Sequence, residues 1–220
     1  MKKAVITGAS SGLGYEIAQQ FVKKGVKVVN LSRTPSKLKI TNIHTDLSKN
    51  EDIKNAVAII NKEYTDVDVL VSCAGVLHWS DIEELQAEEI DKDFAVNITG
   101  AIKLTNGLLS LIKKNKGDVV IIGSTSSFVS RGRDLVYVST KHAILGFIRS
   151  LQAECKKEDV RIIGFHPGGF RSSMHLKAHS GFKPEELMDP KDLAGLIMSI
   201  LELPRNMEVS EILVNRKVRG

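Results

Sequence analysis

Seven short runs rich in β-branched residues, separated by longer stretches of helical character, constrain the folding of this chain more than any other feature. The runs fall at residues 4–7, 26–31, 43–45, 67–72, 118–123, 160–165 and 209–214. They are nearly continuous in apolar character, which suits strands buried on both faces of a parallel sheet. Between them, residues 12–24, 50–63, 87–114, 135–157 and 190–203 read as helices. Repeated strand–helix units of this length predict an α/β fold: a Rossmann-type, doubly wound parallel sheet of about seven strands with helices on both faces. Ligands of such sheets bind beyond the carboxyl ends of the strands. Two helix starts carry local signals. Ser48 with Glu51 three residues later predicts a capping box, and Asp189 before Pro190 predicts an N-cap followed by a proline in the first turn.

The 220 residues, 42% of them apolar, suit a single domain spanning 1–220 with a sizeable core. No linker, low-complexity tract or repeat interrupts them. Lys and Arg total 31 against 26 acidic residues, a net charge of +5. Because the two signs are interspersed, a nucleic-acid-binding stripe is not expected, while a basic patch for a phosphorylated cofactor stays open. Cys73 and Cys155 are too few for a disulfide framework, and a reducing, cytoplasmic setting is expected. Met1-Lys2-Lys3 leads into an apolar run far too short for a signal peptide or a membrane span, so no membrane partner is expected.

The first predicted strand runs into Thr7-Gly8-Ala9-Ser10-Ser11-Gly12-Leu13-Gly14, and a helix follows. Glycines here let the backbone turn tightly and approach a pyrophosphate, whose charge is met by the helix N-terminus. The spacing Gly-x-x-x-Gly-x-Gly differs from the commoner Gly-x-Gly-x-x-Gly fingerprint, but its place after a strand and before a helix predicts a dinucleotide site. The choice of cofactor is made about 20 residues on, where an acidic side chain would accept ribose hydroxyls and repel a 2′-phosphate. This chain has Ser32-Arg33 there. Arg33 offers a bidentate phosphate contact and Ser32 brings no repelling charge, which favours NADP and leaves NAD possible.

Tyr137 and Lys141 lie four residues apart in a predicted helix, with Ser124 thirteen residues before the tyrosine. Positions i and i+4 share a helix face, about 6 Å apart. At roughly 5 Å and an effective dielectric of about 20, the ammonium would favour a tyrosinate by about 3 kcal/mol. That equals roughly two pKa units, enough to carry a phenol from about 10 toward neutrality.

Together these residues resemble the short-chain dehydrogenase/reductase family in its compact, single-domain form. The likeness extends over almost the whole chain: the Thr7–Gly14 turn, Asp46-Leu47, Cys73-Ala74-Gly75, Asn97, Ser124, Tyr137, Lys141 and Pro167-Gly168. By that resemblance Tyr137 is the general acid/base of an oxidoreductase acting on a carbonyl/alcohol pair. Lys141 lowers its pKa and bonds the nicotinamide ribose, Ser124 orients the substrate oxygen, and Asn97 holds a water that links Lys141 to solvent. Cofactor contacts are implied for Gly8, Ser10, Ser11, Gly12, Leu13, Gly14, Ser32, Arg33, Ala74 and Gly75. Asp46 and the Leu47 backbone are expected at the adenine. Pro167, Gly168, Phe170 and Ser172 are expected over the nicotinamide carboxamide, Ser172 standing where the family more often has threonine. Cys73 replaces the family's usual asparagine, implying an altered packing contact. Subunits of the family generally pair through the helices read here at 87–114 and 135–157, which implies a homodimer or homotetramer.

Substrate contacts are expected from the loops at 76–81, 125–134 and 170–183. Trp79, Phe128, Phe170, Met174 and Leu176 offer apolar surface, and Arg131, Arg133 and Arg171 offer positive charge. His175 and His179 would share a helical face, but without a third ligand no metal site is expected. Two other readings stand beside an NADP-dependent oxidoreductase of a small carbonyl or alcohol. One is a dinucleotide-sensing regulator without turnover, which would need no acid/base tyrosine. The other, an epimerase or dehydratase of the family's extended branch, needs a substrate subdomain for which 220 residues leave no room.

Overall fold

Seven strands, every pair of neighbours parallel, form one sheet in the order β3-β2-β1-β4-β5-β6-β7. The structure is a computed structural model that describes residues 1–130, 132, 134–174 and 184–217. The strands are β1 (Lys3–Thr7), β2 (Lys27–Ser32), β3 (Thr41–His44), β4 (Val69–Ser72), β5 (Asp118–Ile122), β6 (Arg161–Pro167) and β7 (Glu211–Val214). The helices are α1 (Gly12–Lys23), α2 (Asn50–Glu63), α3 (Ala87–Phe94), α4 (Gly100–Lys114), α5 (Leu135–Cys155) and α6 (Pro190–Leu201). The chain first moves outward from β1 to β3, then returns to place β4 on the other side of β1. A crevice therefore opens at the carboxyl ends of β1 and β4, where the winding reverses.

Each face of the sheet buries its own apolar layer. On one face Val5, Leu31, Leu70 and Ile121 pack with Ile53 and Ile60 of α2, Leu104 and Leu108 of α4, and Ile144 and Ile148 of α5. On the other, Ile6, Val71 and Phe165 pack with Ile17 and Phe21 of α1 and Ile197 of α6. Alternate residues of each strand serve opposite layers, which is why the runs read as continuously apolar. At the end of β1 the buried Thr7 hydroxyl accepts from the backbone of both Cys73 and Ala74, each at 2.9 Å. That contact ties the two strands bordering the crevice.

Two helix starts and one helix break are informative. Asp189 caps α6 by accepting from the Lys191 amide at 2.9 Å, with Pro190 in the first turn. The predicted capping box of α2 does not form. Asp46 Oδ1 takes the Ser48 hydroxyl at 2.7 Å and its amide at 3.0 Å, an aspartate turn that outcompetes the helix cap. Lys49 becomes the N-cap instead, and Glu51 pairs with Lys54. The helix predicted without interruption over 87–114 is broken by a π-helical turn, Ala95–Thr99, between α3 and α4. The Ala87–Lys114 run is long and apolar enough to cross a membrane, but its apolar side packs into the sheet layer.

Candidate active site

The Gly-rich turn leaves β1 through Gly8, whose φ of +76° lies in the left-handed region that favours glycine. A Cβ on Gly14 would sit 2.5 Å from the Gly8 carbonyl oxygen, so only glycine lets α1 start this close to the turn. The turn is pinned by a residue that the motif does not reveal. Buried Asn30, in the middle of apolar β2, accepts from the Ala9 amide at 3.0 Å and donates to Ser32 Oγ and Asn42 Oδ1, both at 2.9 Å. A polar side chain inside an apolar strand run was the available signal.

A cleft of about 490 Å³ follows from this turn. Its walls include the predicted Gly8, Ser10, Ser11, Gly12, Leu13, Gly14, Ser32, Arg33, Asp46, Leu47, Ala74, Gly75, Phe170 and Ser172. The cleft opens onto the start of α1 at Gly12, and the first amides of a helix are a donor set suited to a pyrophosphate. Arg33 is exposed on its rim. Burial would raise the Asp46 carboxyl, but the Ser48 hydrogen bonds and the charges of Arg33 and Lys49 hold it below its usual value.

A second cavity of about 180 Å³ adjoins the first, sharing Cys73, Gly75, Leu77, Phe170, Ser172 and Met174 with it. The end of β5 and the first two turns of α5 meet here and bring Ser124, Tyr137 and Lys141 together, with Pro167 and Gly168 following β6. The Ser124 hydroxyl accepts from the Ser126 amide at 3.0 Å, and its presence near the Tyr137 phenol favours the ionised form of that phenol. Lys141, buried, donates to the Ile122 carbonyl at 3.1 Å, its Nζ 5.4 Å from the centre of the Tyr137 ring.

The electrostatics differ from the expectation drawn from spacing alone. Burial pushes the Tyr137 phenol up to about 12, Ser124 opposes this, and the carboxylates of Asp134 and Asp93 add to the rise. Desolvation of the phenol, and not the lysine over its ring, sets the direction of the shift. Lys141 is itself lowered to about 8 by burial. The Cys73 thiol is raised to about 12 by burial, with the Lys141 charge and the nearby Gly14 amide opposing. A thiol of that kind is a weak nucleophile.

Asn97 sits inside the π turn, and its side chain is fully used. Its Oδ1 accepts from the Val76 amide at 2.8 Å, and its Nδ2 donates to the Val76 carbonyl at 2.9 Å and to Thr140 Oγ1 at 3.1 Å. π turns recur at functional sites because they re-aim side chains and release backbone carbonyls from the helical ladder. One helical turn earlier, fully buried Asp93 holds His78 through Nδ1 at 2.6 Å. Burial raises the Asp93 carboxyl even though His78 lowers it.

Of the side chains predicted near the substrate, Trp79, Phe170 and Met174 line the second cavity. Phe128 does not; it stacks edge-on against His166, with ring centres 5.0 Å apart. Arg171 is taken by an ion pair with Asp189 and is also not in the lining. Arg131, Arg133, His175, Leu176 and His179 lie outside the described residues, among which no cluster of three or more potential metal ligands occurs. Asn215 and Arg216, which follow β7, line the cavity without having been predicted. Arg216 also reaches Glu186.

Comparison with known proteins agrees with this architecture. The family model for short chain dehydrogenase matches residues 2–181. An uncharacterized oxidoreductase of Staphylococcus haemolyticus is 32% identical, covering 96% of this chain and 95% of its own length. Among solved structures, an alcohol dehydrogenase from the archaeon Thermococcus sibiricus complexed with 5-hydroxy-NADP superposes with a TM-score of 0.87 and 28% identity, covering 97% of this chain and 96% of that one. A 3-ketoacyl-(acyl-carrier-protein) reductase from Brucella melitensis complexed with NADH gives a TM-score of 0.85 and 25% identity over 97% and 96% of the two chains. The chain belongs to the short-chain dehydrogenase family of oxidoreductases.

Proposed function

We propose that this protein is an NADP-preferring oxidoreductase that interconverts a small carbonyl compound and its alcohol. The observation that carries the reading is the meeting of Ser124, Tyr137 and Lys141 in one cavity that adjoins the Gly-rich cleft and shares its wall. A nicotinamide dinucleotide, when bound, supplies or accepts the hydride. Gly8, Ser10, Ser11, Gly12 and Gly14 would hold its pyrophosphate, Asp46 and Leu47 its adenine, and Pro167, Gly168, Phe170 and Ser172 its nicotinamide end. Arg33 supports a 2′-phosphate, because β2 ends in Ser32 and not in an acidic residue that would repel it.

The chain's own groups handle the proton. In reduction Tyr137 donates its hydroxyl proton to the substrate oxygen, which Ser124 positions, and in oxidation it accepts one. A phenol held near 12 carries its proton at neutral pH, the form that reduction requires, and gives it up as the substrate oxygen gains charge. Lys141 places positive charge beside the developing tyrosinate. Asn97 fixes the loop after β4 through its side chain, so we assign the water contact of the proton relay to its backbone carbonyl in the π turn. Leu77, Trp79, Phe170 and Met174 suit a substrate with an apolar body. The two free cysteines fit a cytoplasmic protein, and α4 with α5 is the face we assign to a homo-oligomer.

The test is oxidation of NADPH and NADH against aldehydes, ketones and diketones, with Tyr137→Phe as control. Turnover is expected with NADPH and should fall by about 10²-fold or more in the mutant. Tight dinucleotide binding with no Tyr137-dependent turnover would favour a sensor instead.

A further inference from the structure

Asp93 and Asn97 stand one helical turn apart and grip alternate residues of the same loop. Asn97 takes both backbone groups of Val76, while Asp93 takes the His78 ring at 2.6 Å and reaches its amide at 3.5 Å. The match is geometric. One turn of helix advances about 5.4 Å, and two residues of extended chain advance about 6.6 Å. Two side chains on the helix can therefore act as a substitute strand edge for the chain leaving β4. The residues between and after the gripped pair, Leu77 and Trp79, both line the cavity that holds Ser124 and Tyr137.

We propose that His78 and Asp93 form a positioning pair, fixing the 76–79 loop so that Leu77 and Trp79 wall the substrate cavity and decide which carbonyl compounds fit. The wall's role in substrate choice rests on the functional reading above; the grip on the loop does not. Burial strengthens the case. Asp93 has no solvent-exposed surface, and an ionisable group in that position is costly unless its partner is fixed. The His78 ring, about a quarter exposed, is the partner seen. With Nδ1 directed at the carboxylate, the ring's orientation is set, and with it the backbone on either side.

Trp79 is the only tryptophan in the chain, so its fluorescence reports the wall directly and without turnover. The experiment compares wild type, His78→Ala, His78→Asn and Asp93→Asn in the whole protein. It reads acrylamide quenching of Trp79, the melting temperature, and KM and kcat for a small aldehyde against a bulky aryl ketone. His78→Ala should raise the quenching constant about twofold. It should also raise KM for the bulky ketone at least fivefold more than for the aldehyde, with kcat falling less than KM rises. His78→Asn keeps a donor for Asp93, and Asp93→Asn keeps an acceptor for His78; in quenching and in the ratio of the two KM values each should stay within about twofold of wild type. Unchanged quenching in folded His78→Ala would overturn the proposal. So would equal loss in all three variants, and if His78→Ala does not fold, loosening of Trp79 in His78→Asn would do the same. A wild type without turnover would count against the oxidoreductase reading alone, since quenching still decides whether the pair holds the wall.

Discussion

Lys141 Nζ donates to the backbone carbonyl of Ile122 at 3.1 Å, two residues before Ser124. The lysine is thus anchored by the strand that also presents the serine, and both partners proposed for Tyr137 share one rigid support. Burial lowers this lysine to about 8. The profile of kcat/KM reports groups of the free enzyme. Carbonyl reduction should therefore be level through neutrality and fall above about pH 8 as the ammonium loses its proton. Tyr137, near 12, stays protonated over the same range. Lys141→Gln should lower the rate and abolish this limb, and a wild-type profile flat from pH 7 to 9.5 would refute the assignment.

In the proposed reading, the preference for NADP rests on Arg33. It lines the cleft rim, while the Ser32 hydroxyl beside it is committed to the Thr34 carbonyl at 2.5 Å and to Asn30 at 2.9 Å. Ser32 is thereby turned away from making a strong ligand contact of its own. Arg33→Ala should weaken NADPH binding about tenfold or more, as expected when a charged hydrogen-bond partner worth about 1.5–3 kcal/mol is lost, and leave NADH binding little changed. Titration of both cofactors by fluorescence gives the answer; equal weakening of the two would remove the phosphate assignment.

Much of this was legible because it is local or periodic. The apolar runs fix a parallel sheet, and the Gly8–Gly14 spacing fixes the turn after β1. Ser124 and Tyr137 meet because one ends a strand and the other begins the helix returning from the same rim. What escaped depends on competition or on distant partners. Ser48 could cap α2 until Asp46, two residues before it, is seen to take its hydroxyl. The π turn at Asn97 leaves the apolar pattern of the long helix intact, so periodicity does not register it. His78 and Asp93 are fifteen residues apart and meet only once the loop folds back on α3. Arg216 enters the cavity solely because β7 docks beside β6. The direction of the Tyr137 shift also follows from burial, which a four-residue spacing cannot convey.

His166 gives stability a particular pH dependence. It has no solvent-exposed surface, neither ring nitrogen has a hydrogen-bond partner among the described residues, and burial lowers it to about 4, with the Lys141 and Arg149 charges adding and Glu211 opposing. The unfolded histidine binds its proton near 6.5 and the folded one only near 4, so between those values the unfolded state holds more protons. The contribution of His166 is therefore fully present above about pH 6.5 and is lost as pH falls toward 4, by at most on the order of 3 kcal/mol. Urea unfolding at pH 7 and pH 4.5 should show a smaller loss in His166→Phe than in wild type. An identical loss would mean that other groups carry the acid sensitivity.

The same ring explains why Gly123 must lack a side chain. A Cβ there would lie 2.2 Å from His166 Nδ1, well inside contact distance, and the histidine is walled on its other side by Gly164, where a Cβ would be 2.7 Å from Nε2. The ring cannot withdraw, because Phe128 covers its edge. Gly123→Ala should therefore destabilise the fold by about 3 kcal/mol, at the upper end of what overpacking usually costs. It should also impair activity, since Gly123 joins the Ile122 carbonyl that holds Lys141 to Ser124. His166→Ala alone opens a cavity and should cost about 2 kcal/mol or more. If the clash is the cause, the two losses will not add: the double variant should be more stable than their sum by about 1–3 kcal/mol, with part of the activity restored. Strict additivity in denaturant unfolding would place the strain of Gly123→Ala in the backbone of β5 and not against His166.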